Sequence, residues 1–395
     1  MKRKISLLLI IILILSTFIN VYASEDVSDE ETLENETLLL SMDEAVEMAI
    51  ENSREMWKID DGIRQMRDAR RDGRDAKGMA EDLMAMSLDK IAGMRMITEV
   101  DPLNNYVDLL LAKNGYYVTF ADTQTKQLEK SRDLLVKDIE IETKSLYYGV
   151  LLAEKAIEVN EAKLNNANEQ LRVVNLKFDN GSATKAEVLS AEMAVQQAKT
   201  DLDSAADDYN ISKLNLLNKL ELSFDIELLL RDTELTYVPT EEVNLDEIIE
   251  KSKEERPEIL AALNNLELQQ IESHAYTAYY TSNLRQHKAA VEKLKDAELN
   301  VPQAYKDVEL DVRKSYLNLV KAERSLLNMD KTLEIAKEAA RINKLLYDNG
   351  MATTLDVISA ETSLAEAEIG HYQLLAAYNM NKLMFDNCHL IGLLQ

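Results

Sequence analysis

Cysteine, proline and glycine are nearly missing from this chain: among 395 residues there are one cysteine, four prolines and ten glycines. With Cys388 as the only cysteine no intrachain disulfide can form, so the fold has to be held by packing. So little proline and glycine leaves few turns, and long elements with few corners follow. Positive charge is scarce too. With 45 basic against 71 acidic residues the formal net charge is −26, which makes the chain as a whole a poor candidate for nucleic acid or anionic lipid.

The residues of catalysis are equally thin. His274, His287, His371 and His389 are scattered singly, without H-E-x-x-H spacing, and no cysteine cluster, glycine-rich phosphate loop or G-x-S-x-G elbow is present. No catalytic residue, metal ligand or cofactor is expected, and the chain does not read as an enzyme. Methionines at Met79, Met84, Met86, Met94 and Met96 are spaced irregularly, and helix packing accounts for them at least as well as a soft-metal site.

Long apolar runs are confined to the start. Lys2-Arg3-Lys4, the run Leu7 to Leu15 and Val21-Tyr22-Ala23 have the order of a secretory signal peptide over 1–23, with an uncleaved anchor as the alternative. The segment 24–38 holds seven acids and no base and is expected to be a disordered leader.

What the chain does contain is a duplication. Phe178-Asp-Asn-Gly-Ser-Ala-Thr-Lys-Ala-Glu-Val-Leu-Ser-Ala-Glu192 returns as Tyr347-Asp-Asn-Gly-Met-Ala-Thr-Thr-Leu-Asp-Val-Ile-Ser-Ala-Glu361, and the same offset of 169 carries Tyr147 to Tyr316 and Tyr209 to Tyr378. Gly181 and Gly350 supply the left-handed residue that ends a helix. Thr184 with Glu187, and Thr353 with Asp356, have capping-box spacing, so each copy is a tight turn between two helices. Apolar residues recur at three and four from about Val118 to Asp179, which predicts one helix of roughly 60 residues supported by coiled-coil packing. A return helix is expected from Ala186 to about Leu222, and a second, somewhat shorter hairpin from about Gln303 to Phe385. Ser41-Met-Asp-Glu44 and Asn244-Leu-Asp-Glu247 open a short capped helix at the head of each half, now at an offset of 203, so the first half carries 34 extra residues within 59–117.

The expected fold is therefore all-α: two tandem helical hairpins with capped head helices, a first repeat at 39–222 with its Met-rich insertion, a linker at 223–243 around Pro239, and a second repeat at 244–395.

A signal peptide, two halves with capped head helices, and hairpins turning at F/Y-D-N-G-x-A-T before [ED]-V-[LI]-S-A-E together resemble the TolC-like outer-membrane efflux proteins. The resemblance covers most of residues 39–387. It implies an exported conduit in the cell envelope, in the outer membrane where the host has one, assembled as a homotrimer and docked to an adaptor and an inner-membrane transporter. By position it places Gly181, Ser182, Ala183, Thr184, Lys185, Gly350, Met351, Ala352, Thr353 and Thr354 at the docking tips. The departure is the barrel. Four membrane strands of roughly 9 to 11 alternating residues are not in the sequence; the best candidates, Tyr116 to Phe120 and Tyr276 to Thr281, are too short, and a barrel-less relative is expected. The other reading is an exported structural or interaction coiled coil that has lost the channel.

Overall fold

The computed structural model describes residues 37–87, 90, 106–232, 234–237, 239–240 and 243–392. The signal, most of the acidic leader, and Met94, Met96 and Asp101-Pro102 lie outside the described residues.

Among the described residues nine helices and two short strands follow one another as β1 (Thr37–Leu40), α1 (Met42–Glu51), α2 (Arg54–Ala85), α3 (Tyr106–Lys113), α4 (Tyr116–Asp179), α5 (Lys185–Lys219), β2 (Glu227–Leu230), α6 (Leu245–Glu255), α7 (Pro257–Tyr279), α8 (Arg285–Asp348) and α9 (Thr354–Asp386). The offset of 169 maps α4 onto α8 at both ends, each 64 residues long. At 1.5 Å per residue each spans about 96 Å. In a folded protein most of a helix's stability comes from packing of its apolar face, and both are flanked along their length. Near the tips the helices lie side by side in the order α5, α4, α9, α8, and in the other half of the rod as α2, α4, α7, α8.

Between these two regions sits a waist where the head helices pack. Leu40, Ala45, Tyr147, Val150, Leu216 and Leu228 form one buried cluster, and Ile249, Val312, Leu319, Tyr378 and Phe385 form another. The repeat offset relates Val150 to Leu319 and Leu216 to Phe385, so the duplication extends into the core. Ser41 and Glu44 make the reciprocal capping box at the start of α1, and Asn244 caps α6.

Two expectations change. The segments read as a leader and a linker contribute β1 and β2, which pair in parallel with Leu40 opposite Leu230 and thereby tie the two ends of the first half together. Four-residue strands are too short to show a periodicity, and their partners are far apart in sequence. The strand candidates at Tyr116–Phe120 and Tyr276–Thr281 lie instead at the start of α4 and the end of α7. Their aromatic pairs, Tyr116 with Phe120 at 6.4 Å and Tyr276 with Tyr280 at 5.8 Å, are the i,i+4 neighbours that a helix brings together. The second hairpin is not shorter than the first: α8 begins at Arg285 and runs through Pro302. Pro302 is exposed, so the carbonyl it leaves unpaired one turn back is open to water. Finally, Gly73 lets α2 cross α4 closely, since a Cβ there would sit 3.1 Å from the Tyr117 and Val118 backbone. No residue pattern announces that contact.

Candidate docking site at the hairpin tips

Each tip is built by the residues that the repeat shares. Gly181 has φ of 72° and Gly350 of 74°, the left-handed region that an L side chain rarely adopts. The turn this permits closes α4 with a 2.7 Å bond from the Ser182 N–H to the Lys177 carbonyl and a 2.9 Å bond from the Gly181 N–H to the Phe178 carbonyl. At the second tip Met351 donates to Leu346 at 2.8 Å and Gly350 to Tyr347 at 3.0 Å. Both are the paired bonds of a Schellman end.

The outgoing helices start with matched caps. The Thr184 hydroxyl accepts from the Glu187 N–H at 3.3 Å while the Thr184 N–H donates to the Glu187 carboxylate at 2.6 Å. Thr353 and Asp356 repeat this at 3.3 and 2.8 Å. Hydrogen bonds from the Thr184 N–H and hydroxyl hold the Glu187 carboxyl below its ordinary range, and the Thr353 hydroxyl and N–H do the same for Asp356. Behind the first cap Ala183 packs with Val174, Val188 and Ala191.

Of the ten expected tip residues, Gly181, Ser182, Thr184, Lys185, Gly350, Met351 and Thr353 are exposed, and Ala183 and Ala352 are half-buried. Thr354 differs: it is buried, with 3% of its surface exposed. Its repeat partner Lys185 is open, and nothing in the local pattern separates the two. The repeat is also unequal one turn back, where Phe178 is 41% exposed and Tyr347 only 7%. The Lys177 ammonium lies 3.6 Å from the centre of the Tyr347 ring, so the two tips touch through a cation–π contact. The buried Tyr347 hydroxyl has no hydrogen-bond partner among the described residues.

Around the caps, Leu176, Leu189, Met193, Leu345, Met351 and Leu355 remain exposed and give the tips an apolar collar. Of these, only Met351 lies within the repeated turn motif F/Y-D-N-G-x-A-T. Small residues line an open groove of about 310 Å³ between α8 and α9, running from Ala336 to Ser363 beside Asp356. The site offers backbone-rigid turns, a few polar side chains and apolar contact area. Those are the means of recognising another protein, and no group of three metal-ligating side chains occurs among the described residues.

No protein-family model matches the sequence, and no curated protein does either. Solved structures do match. A membrane protein from Pseudomonas aeruginosa superposes with a TM-score of 0.67 at 14% identity, over 94% of this chain and 97% of the other. The outer membrane protein VceC from Vibrio cholerae gives 0.62 at 14% identity over 89% and 96%. The CmeC outer membrane channel of Campylobacter jejuni gives 0.63 at 12% identity over 94% and 93%. At such identities the likeness is one of architecture, and the architecture is that of the TolC-like outer-membrane channels, with no strand of barrel length among the described residues.

Proposed function

We propose that this chain is one subunit of a TolC-like export conduit, an exported helical tube whose hairpin tips dock to an adaptor and a pump to carry material across the cell envelope. The observation that carries the reading is the pair of open edges. On α8, Leu299, Leu310, Leu317, Ile335 and Ile342 are exposed and recur close to whole numbers of helical turns, leaving an apolar stripe along most of the helix. The opposite edge presents Leu189, Met193, Ile211 and Leu214 on α5 and Trp57 and Met79 on α2. Two unlike apolar edges on one layer satisfy each other head to tail, and such a contact closes into a ring when the rotation permits. A trimer is the ring that the family resemblance implies. The tips would then form one end of the tube, and the chain would act by enclosing a path.

One observation favours the other reading, an exported coiled-coil rod without a channel: the corners where barrel strands would be sought are helical. Sedimentation of the mature protein decides between them. The conduit requires a closed oligomer at micromolar concentration. Because Cys388 is the only cysteine and is buried, paired substitutions such as Met193→Cys with Ile335→Cys report on the α5–α8 edge, and oxidation should give covalent trimers. A monomer throughout the range leaves the rod.

A further inference from the structure

At the end of the rod far from the tips, α7 and α8 meet in a corner whose composition is opposite to that of the chain. Among 71 acids in the protein, none falls between residues 273 and 291, while Arg285 and Lys288 do. Tyr276, Tyr279 and Tyr280 gather there, with ring centres 5.8 Å apart for Tyr276 and Tyr280 and 4.8 Å for Tyr279 and Tyr280; Tyr106 at the head of α3 adds its ring 5.5 Å from Tyr279. These rings are not a sealed core, since Tyr279 is 51% exposed and Leu284, in the turn, 42%. Beside them lies an open groove of about 360 Å³ between Tyr276, Arg285 and Lys293. Lys293 is bonded to Glu272 at 2.9 Å, whereas Arg285 makes no ion pair among the described residues.

We infer that this corner is a bilayer contact, Tyr279, Tyr280 and Leu284 entering the headgroup layer while Arg285 and Lys288 meet lipid phosphates. Tyrosine suits that boundary because its ring is apolar and its hydroxyl is wet. Charge selects the occupant. The whole protein repels an anionic surface, but the corner presents Arg285 and Lys288 with no acid between residues 273 and 291; the first exposed acid along α8 is Glu292, one turn beyond Lys288, and Asp108 is exposed on α3. No membrane-spanning helix is needed, and none of the described helices is long and apolar enough to be one. The inference holds whether or not the copies close a ring.

Flotation of the full-length protein with vesicles tests it. The wild type should float with phosphatidylcholine–phosphatidylglycerol vesicles and less well with phosphatidylcholine alone, and added inorganic phosphate should not release it. Tyr279→Ser with Leu284→Ser should weaken binding roughly tenfold on both surfaces, whereas Arg285→Gln with Lys288→Gln should reduce only the preference for phosphatidylglycerol. Helix content and melting temperature serve as the folding control. Should the aromatic variant fold poorly, Tyr279→Trp reports independently, since its emission should be quenched by brominated lipid. Failure of the wild type to float, flotation unchanged in the aromatic variant, release by free phosphate, or an unquenched Trp at 279 would each overturn the assignment. Retention by a protein partner without vesicle binding would overturn it as well.

Discussion

The Tyr147 hydroxyl donates a 3.0 Å hydrogen bond to the Leu40 carbonyl, joining the middle of α4 to the first strand. The same oxygen accepts from the Asp232 N–H at 3.2 Å, and the Asp232 carboxylate accepts from the Met42 N–H at 2.8 Å at the start of α1. One buried phenol thus holds β1, the end of β2 and the first head helix against α4. Burial raises its pKa to about 12, so it remains a donor at any physiological pH. Tyr147→Phe should cost about 1 kcal/mol, because it removes a buried hydrogen bond to the Leu40 carbonyl. Tyr316→Phe, at the equivalent but half-buried position, should cost less; equal losses in urea unfolding would contradict the assignment.

At the tips, Gly181→Ala and Gly350→Ala should each destabilise by about 1 kcal/mol or more. Nothing lies within 4 Å of a Cβ built at either site, so the cost is one of backbone conformation alone. Asparagine, which tolerates positive φ, should recover part of it. A full loss with asparagine would point to a steric cause instead.

The caps add a dependence on pH. Glu187 and Asp356 have folded pKa values below their ordinary ones, so their contribution is present above the unfolded carboxylate pKa and disappears as pH falls through the lowered folded value. Thr184→Ala and Thr353→Ala should each cost on the order of 1 kcal/mol near neutrality. They should lose less on the acid side. A constant difference between wild type and variant from pH 7 downward through the carboxylate range would rule out the reciprocal cap as the cause.

Lys177 and Tyr347 should be coupled by about 0.5–1 kcal/mol in a double-mutant cycle using Lys177→Met and Tyr347→Leu. Tyr347→Phe should be neutral or stabilising, since the hydroxyl it removes is buried without a partner among the described residues and the ring under Lys177 stays. A clear loss of stability in that variant would mean that the hydroxyl is bonded in solution.

Arg256 is 1% exposed and pairs with Asp311 and, at 3.2 Å, with Glu258. Asp311→Ala should cost roughly 3–5 kcal/mol because it leaves a buried guanidinium with only Glu258 for compensation. Arg256→Met should cost less, as Asp311 and Glu258 reach solvent. Thermal unfolding of the two variants gives the order directly.

A docking role asks for side chains that do no capping. Exchanging Ser182, Lys185 and Met351 for other polar residues should leave the melting temperature within a degree or so while reducing adaptor binding or export in cells. Thr354, being buried, does not belong in that set. Full export with all three replaced would leave the tips as turns only.

Much of this was legible in the residues because it is local. Glycine at positive φ, threonine three residues before an acid, and apolar spacing of three and four are short-range constraints, and the repeated turn located the tip end of α8, whereas its start, expected at about Gln303, lies at Arg285. Tertiary structure decided what depends on distant partners. Leu38–Leu40 become a strand only because Leu228–Leu230 lie alongside, and residues 285–302 stay helical past Pro302 because α7 packs against them. Thr354 and Lys185 occupy the same place in the repeat, yet one is covered and the other bare. The buried phenol is likewise Tyr147 on the outgoing helix of the first half but Tyr378 on the return helix of the second. A duplicated sequence specifies two equal hairpins; which of two equivalent side chains is desolvated is set by the neighbours each hairpin meets, and those are not duplicated.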